Sequence, residues 1–235
     1  MNVWSAPLIG WMPVVGLLLG PLLARWVQLA PLWMHARWAE PDDGPAPHPP
    51  AWSIRGVIFM AMSTAALWGV CGQIWIGMAA PAWAVFGTGL WLLSCIDARS
   101  GWLPDVFTLG LLGLGMGAAA LPVHSTGLSD AAWGAVLGHG VLWGTAHLFK
   151  ALSGREGLGG GDPKLLAAIG AWMGWNALAP VLLVASVSGA LVAAAMQGLG
   201  LWPKQQAFAF GPFLALAVPI VGTVGPHAFV VFLPV

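Results

Sequence analysis

Charge is what this sequence has least of. Eight Lys and Arg and eight Asp and Glu stand among 235 residues, 7% of the chain, where soluble proteins carry roughly 25%. Hydrophobic residues reach 59%, and mean hydropathy is +0.84. So few charges cannot keep a water-exposed surface of this size free of large apolar patches, which excludes a soluble enzyme. The signs balance to a net charge of +0, so there is no basic field to hold phosphates, and nucleic acid is excluded as a partner. Cysteine is nearly absent. Cys71 and Cys95 lie inside apolar runs and form no CxxC pair, so neither a disulfide framework nor a zinc knuckle is available. Both read as small packing residues. The opening, MNVWSAPLIG, lacks the basic start of a cleavable signal peptide, and the first helix is expected to be retained. What remains is an all-α, polytopic membrane protein with the lipid bilayer as its surroundings.

Cutting the chain at every charged residue leaves uncharged runs at 1–24, 56–96, 106–129, 131–149, 165–203 and 205–235. A membrane helix needs about 20 apolar residues to cross roughly 30 Å of hydrocarbon. Runs of 24, 24, 19 and 31 residues hold one crossing each, and those of 41 and 39 residues hold two. About eight transmembrane helices follow, near 5–24, 56–73, 77–96, 106–123, 131–149, 164–177, 180–198 and 212–232. The turn inside the first long run falls at Gln73–Gly77 or near Pro81; that inside the second falls in Gly174–Pro180, which joins a polar residue to turn formers.

Cations orient the bundle. Under this count Arg25, Arg37 and Arg55 belong to the first loop, Arg99 to the third, Lys150, Arg155 and Lys164 to the fifth, and Lys204 to the seventh. All eight fall on one side, which the positive-inside rule makes cytoplasmic, with both termini outside. A seven- or nine-helix count scatters them over both faces. The first loop, about 25–55, is the only sizeable polar segment, and Glu40–Pro50 within it is proline-rich and reads as irregular. It divides the chain into 1–55, a first helix with its loop, and 56–235, a seven-helix region. The sixteen tryptophans suit interfacial belts.

With eight acids, each can be weighed. Glu40, Asp42 and Asp43 are expected to be solvated in the polar loop. Asp130 is expected to cap a helix beginning at Ala131, and Glu156 stays ambiguous. Asp97, Asp105 and Asp162 each abut a hydrophobic span on the cytoplasmic side, where a carboxylate must be paired, solvated or protonated. Asp105 is well explained as an N-cap. Asp162 can also be only an N-cap before Pro163, with Lys164 snorkelling to the interface. Asp97 sits at a helix C-terminus, which disfavours anions, so structure alone gives it little reason to be there. Asp97 and Asp162 end two different spans on the same face. If packing brings them together, both cannot ionise easily. One carboxylate then activates a water while its protonated partner polarises a peptide carbonyl and protonates the leaving nitrogen.

Three stretches then become specific. They are Ile96-Asp97 with Leu103-Pro104-Asp105 and Thr108-Leu109; Arg155 through Trp175, with Gly159-Gly160-Gly161-Asp162 reading as GxGD and Pro163-Lys164-Leu165-Leu166 after it; and Phe208-Ala-Phe-Gly-Pro-Phe-Leu-Ala215. Together, in order, they resemble the prepilin peptidases (type IV leader peptidases), a GxGD class of membrane aspartyl protease, over about residues 85–217. The resemblance implies that Asp97 and Asp162 are the catalytic aspartates, with Asp105, Gly159, Gly161 and Lys164 supporting them. It implies removal of a basic leader from prepilins or pseudopilins, after a glycine, at the cytoplasmic face of the bacterial inner membrane, and no cofactor or metal for the peptidase. Bifunctional members also methylate the new N-terminus from S-adenosylmethionine. They carry a Gly-Ser-Phe-Leu-Asn stretch after the first span and usually two CxxC pairs in the first loop. Here the corresponding stretch is Gly20-Pro21-Leu22-Leu23-Ala24 without asparagine, and the loop has no cysteine. The N-terminal region therefore reads as degenerate. Use of S-adenosylmethionine is doubtful, and the missing thiolates argue against zinc. His35 and His48 read as loop histidines, and His139 and His147 as hydrogen-bonded inside the bundle.

The competing class is a non-catalytic membrane component: an inactive homologue in a type IV pilus or type II secretion assembly, or a small transporter. A transporter is expected to place polar groups at mid-membrane, often within an inverted repeat. Here the acids lie at one interface and no repeat is evident.

Overall fold

A computed structural model describes residues 6–38, 54–75, 79–121, 125–154, 157, 159–201 and 209–225. Among the described residues the chain is all-helical, without a strand. The helices are α1 (Ala6–Trp38), α2 (Ile54–Ile74), α3 (Ala79–Ser100), α4 (Asp105–Ala119), α5 (Leu128–Ser153), α6 (Asp162–Met173), α7 (Leu178–Gly198) and α8 (Gly211–Val224). Four stretches, Gly10–Ala36, Ile54–Ile74, Ala79–Ser100 and Trp175–Gly198, are long and apolar enough to cross a membrane. Two shorter apolar helices are Asp105–Ala119 and Gly211–Val224. The chain separates into two compact units, Met1–Ile96 and Asp97–Val235, and the dividing line falls inside α3.

In the first unit α1 and α2 pack along small residues. A Cβ added at Gly16 or Gly20 would run into the backbone of Thr64, Ala65 or Ala61, so only glycine lets the two helices approach this closely. Met12, Trp68, Cys71, Ala80 and Ala84 form the core there, and the Trp68 Nε1–H donates to Thr88 Oγ1 at 2.9 Å. Helix α1 contains Pro13, Pro21 and Pro31 and still runs on to Trp38. The polar loop therefore starts later than residue 25: Arg25 and His35 lie on the helix. The proline-rich stretch, His48 and the acids at 40, 42 and 43 lie outside the described residues. The turn between α2 and α3 follows Ile74, in agreement with the Gln73–Gly77 alternative, whereas Pro81 sits in the first turn of α3, where its missing N–H has no helical partner to lose.

In the second unit α6 is the central element. Every residue from Leu165 to Trp172 is buried, the pattern of a helix covered on all sides. It meets α5 where Gly134 and Gly170 face each other with no room for a Cβ on either, and where Gly138 lies on the Leu166 carbonyl. It meets α4 through the Trp172 indole, whose Nε1–H donates to the Leu111 carbonyl at 2.8 Å and whose ring occupies the space beside Gly115. Gly174, at φ +82°, ends α6 in a conformation that a side chain resists. A short 3₁₀ turn, Trp175–Ala177, then leads into α7, within the turn region read from the sequence.

Two expected caps are absent. Asp130 does not begin α5; Gly127 is the N-cap, and the Asp130 carboxylate accepts the Trp175 Nε1–H at 3.2 Å instead. Asp105 is the first residue of α4, with Pro104 before it and no side-chain cap. His139 and His147 are exposed rather than inside the bundle, and the His147 Nδ1 lies 2.8 Å from the Trp143 carbonyl one turn back.

Candidate active site

Asp97 lies in the last turn of α3, Asp162 opens α6, and both are 4% exposed. Burial this deep is exceptional for a carboxyl group and needs local compensation. For Asp97 it comes from α8. The Gly211 N–H, one of the donors left free at a helix N-terminus, donates to Asp97 Oδ2 at 3.0 Å. That helix start also offsets the unfavourable position of an anion at the C-terminal end of α3. No side chain fits between them: a Cβ on Gly211 would lie 2.6 Å from Asp97 Oδ2.

Asp162 is the first residue of α6, with Gly161 as the N-cap and Pro163 directly after it. Its side chain does not cap the helix. Its backbone N–H reaches the Gly159 carbonyl at 3.2 Å, closing a tight glycine turn. The Gly159 N–H in turn donates to its carboxylate. A Cβ on Gly161 would come within 2.5 Å of the Leu103 side chain, so this glycine seats the turn against the chain leading into α4. Among the described residues Asp162 Oδ1, which is buried, has no hydrogen-bond partner. An orphan of this kind calls for a reason.

The two carboxyls act on each other. Burial first, and the negative charge of Asp97 second, push the Asp162 carboxyl up to about 7, against the lowering effect of the Gly159 N–H. Asp162 thus holds a proton to near neutrality. A charged carboxylate beside a protonated one is the arrangement that general acid–base chemistry uses.

Lys164 has a partner. Its Nζ donates to Asp105 Oδ1 at 2.6 Å, tying α6 to α4 one half-turn beyond Asp162, with the two side chains 33% and 47% exposed. The structure therefore brings Asp97, Asp162 and Gly159 together, places Gly161 under their turn, and pairs Asp105 with Lys164 beside them. Arg155 and Glu156 lie outside the described residues. Gly211 stands in the third of the matching stretches, Phe208–Ala215, but was given no role there. Its local signal is a glycine immediately before Pro212, a combination that marks a helix start. Among the described residues no group of three or more His, Cys, Asp or Glu is placed to hold a metal ion.

Two mutually interacting buried carboxyls on a helical chain with membrane-length apolar spans are an arrangement that acid–base chemistry can use. The comparisons with known proteins narrow this. The type IV leader peptidase family matches residues 84–194, a stretch that holds Asp97, the GxGD turn and Asp162. Proteins named "Prepilin leader peptidase/N-methyltransferase" from Burkholderia pseudomallei, Dickeya chrysanthemi and Pseudomonas aeruginosa are 43%, 42% and 43% identical over 141, 149 and 129 residues. These alignments cover 59%, 63% and 55% of this chain and 45%, 52% and 44% of the relatives. The chain thus spans about half the length of the curated relatives it matches. No solved structure matches it. Over residues 84–194 the chain is thus similar to the type IV leader peptidases.

Proposed function

We propose that this protein is a membrane aspartyl endopeptidase that removes the basic leader from prepilin or pseudopilin-like precursors. The carrying observation is the pair of buried carboxyls, Asp97 and Asp162, where burial first and the charge of Asp97 second hold a proton on Asp162. The similarity to these relatives suggests the substrate class, since they are named for prepilin leaders.

In this reading the Asp97 carboxylate takes a proton from water as the water oxygen bonds to the scissile carbonyl carbon. Protonated Asp162, whose Oδ1 has no partner among the described residues, hydrogen-bonds the carbonyl oxygen and steadies the developing charge. The carbon–nitrogen bond then breaks as a proton passes to the leaving nitrogen, which gives a carboxylic acid and an amine with no covalent enzyme intermediate. Both carboxyls return to their starting states. Asp105, Gly159, Gly161 and Lys164 hold the two elements that carry Asp162.

The proposal extends to topology. Eight crossings with both termini outside put every cation of the chain on one face, and the positive-inside rule makes that face cytoplasmic. The aspartates stand at the same end of their helices as Arg99 and Lys164, so cleavage takes place at the cytoplasmic side of the bacterial inner membrane. We divide the chain functionally into 1–55, outside the peptidase, and 56–235, which carries it.

Methyl transfer does not fit the first part. At Gly20, within the stretch that corresponds to the bifunctional members' Gly-Ser-Phe-Leu-Asn, the backbone lies directly against Ala61 of α2, and no asparagine follows. We therefore derive no step through S-adenosylmethionine and none through zinc.

The test is precursor cleavage by the purified protein and by Asp97→Asn and Asp162→Asn. Each variant is expected to accumulate in the membrane and to lose about 1,000-fold or more in rate, within the range that general acid–base catalysis supplies. Unimpaired cleavage by either one overturns the aspartyl mechanism. Intact precursor with wild-type protein favours the non-catalytic component instead.

A further inference from the structure

At the α8 N-terminus the Gly211 N–H donates to a side chain from more than 100 positions earlier in the chain: Asp97 Oδ2, 3.0 Å, buried. Three observations show that this contact is built rather than incidental. Phe210, the N-cap, provides no side-chain cap of its own, so the Gly211 N–H is open to an acceptor from elsewhere. Pro212 follows as the second helical residue and removes one of the competing N–H donors. The third is steric. A Cβ at position 211 would sit 2.6 Å from Oδ2 and 3.2 Å from Cγ of Asp97, so glycine is the residue that permits the bond.

We propose that Gly211 is a positioning residue for Asp97: its N–H fixes which carboxylate oxygen faces the protein and so aims the other, Oδ1, at the hydrolytic water. One oxygen held by a backbone donor leaves the second as the proton acceptor. The donor sits on a helix rather than on a side chain, so the aim costs no rotamer entropy. A misplacement of about 1 Å costs about 100-fold in rate, which is the scale on which this contact matters. The inference rests on the proteolytic reading for its consequence but not for its geometry, and the two can fail separately.

The experiment uses the full chain in detergent. The sequence contains two Phe-Gly steps, Phe86-Gly87 and Phe210-Gly211. Carbonyl-labelled phenylalanine combined with nitrogen-labelled glycine therefore leaves two amide signals. The Gly211 proton is expected downfield, and it moves upfield in Asp97→Asn, where a neutral amide replaces the charged acceptor, while Gly87 stays in place. A Gly211 signal indifferent to Asp97→Asn overturns the proposal. In kinetics, Gly211→Ala is expected to lower kcat about 100-fold with KM held within about threefold, because it displaces a reacting group rather than a binding contact. Unchanged kcat, or a loss confined to KM, also overturns it. Gly110→Ala, where nothing lies within 4 Å of the added carbon, is the control and keeps wild-type values. If Gly211→Ala does not accumulate, the amide signal of the wild-type and Asp97→Asn proteins decides. If the wild-type protein cleaves no precursor while Gly211 still reports Asp97, the protease reading fails and the hydrogen bond stands without its catalytic meaning.

Discussion

In the first unit α1 lies on α2 where Gly16 and Gly20 meet the backbone around Ala61 and Thr64; in the second, α5 lies on α6 where Gly134 meets Gly170. The packing device is the same, but the buried polar groups differ. Thr64 and Ser94 are buried in the first unit and donate to the carbonyls of Met60 and Leu90, one turn back on their own helices, at 2.7 Å each. A hydroxyl can be satisfied that way wherever it falls on a helix. A carboxylate cannot, because it needs donors, and the helix interior has spent its own. Asp97 and Asp162 therefore both stand at helix ends, where Gly211 and Gly159 still have N–H groups to give. Close packing builds a frame in either half. The second unit differs in placing two buried acids at helix termini that other segments complete.

The sharpest way to break this comparison is to overpack each unit in turn. Gly170→Ala drives a Cβ onto the Gly134 carbonyl, and Gly20→Ala drives one onto the Ala61 backbone. Neither obstacle is a flexible side chain, so each is expected to cost about 1–3 kcal/mol or more. Gly170→Ala is expected to lose most of its cleavage along with its melting temperature, since α6 carries Asp162. Gly20→Ala is expected to lower the melting temperature while retaining cleavage. Thermal melts and precursor cleavage on the same preparations check both; equal losses of activity would erase the distinction between the units.

A smaller effect is expected from pH. Asp162 is raised to about 7, so it is protonated below that value and charged above it. If it is the acid of the pair, kcat falls as pH rises through about 7, approaching about tenfold per pH unit beyond it. Folding follows the same sign. Between about 4, where an unfolded aspartate releases its proton, and 7, the folded chain binds a proton that the unfolded chain does not, so stability declines as pH rises across that window. Removing the Asp97 charge in Asp97→Asn lowers the Asp162 midpoint, which the infrared carbonyl band of its protonated form would show. A midpoint that does not move would mean the two carboxyls do not interact.

The smallest expected effect concerns the pair beside the site. Lys164 and Asp105 are both partly exposed, so the bridge contributes about 0–1 kcal/mol. Lys164→Met is expected to shift the melting temperature little and to slow cleavage only a few-fold. The exchanged pair, Asp105→Lys with Lys164→Asp, recovers much of the loss if the bridge acts by holding α4 to α6. Failure of the exchange would assign Lys164 a role through its own charge near Asp162.

Much of the frame was legible from charge spacing alone. The turn after Ile74, the break at Gly174 and the starts of α4, α6 and α8 fall close to where uncharged runs meet charges, glycine and proline. The first helix overran its expected end because Arg25 tolerates a helical position on an exposed face and proline does not stop a helix that other contacts support. Asp105 and Asp130 fit N-caps by position, yet Lys164 and Trp175 claimed their oxygens. Those partners lie 59 and 45 residues away, beyond the reach of any local rule.

Composition by itself determined that the chain is helical and apolar, because uncharged runs of this length have few other physical outcomes, and motif order singled out Asp97 and Asp162 as candidate acids. Only the tertiary structure decided that the two acids share a buried environment, that Gly211 completes one of them and Gly159 the other, and that Asp105 belongs to Lys164. Each of those facts is a contact between distant segments, and such contacts depend on how closely the helices approach, which is set by small residues meeting across them rather than by the neighbours of any one aspartate along the chain.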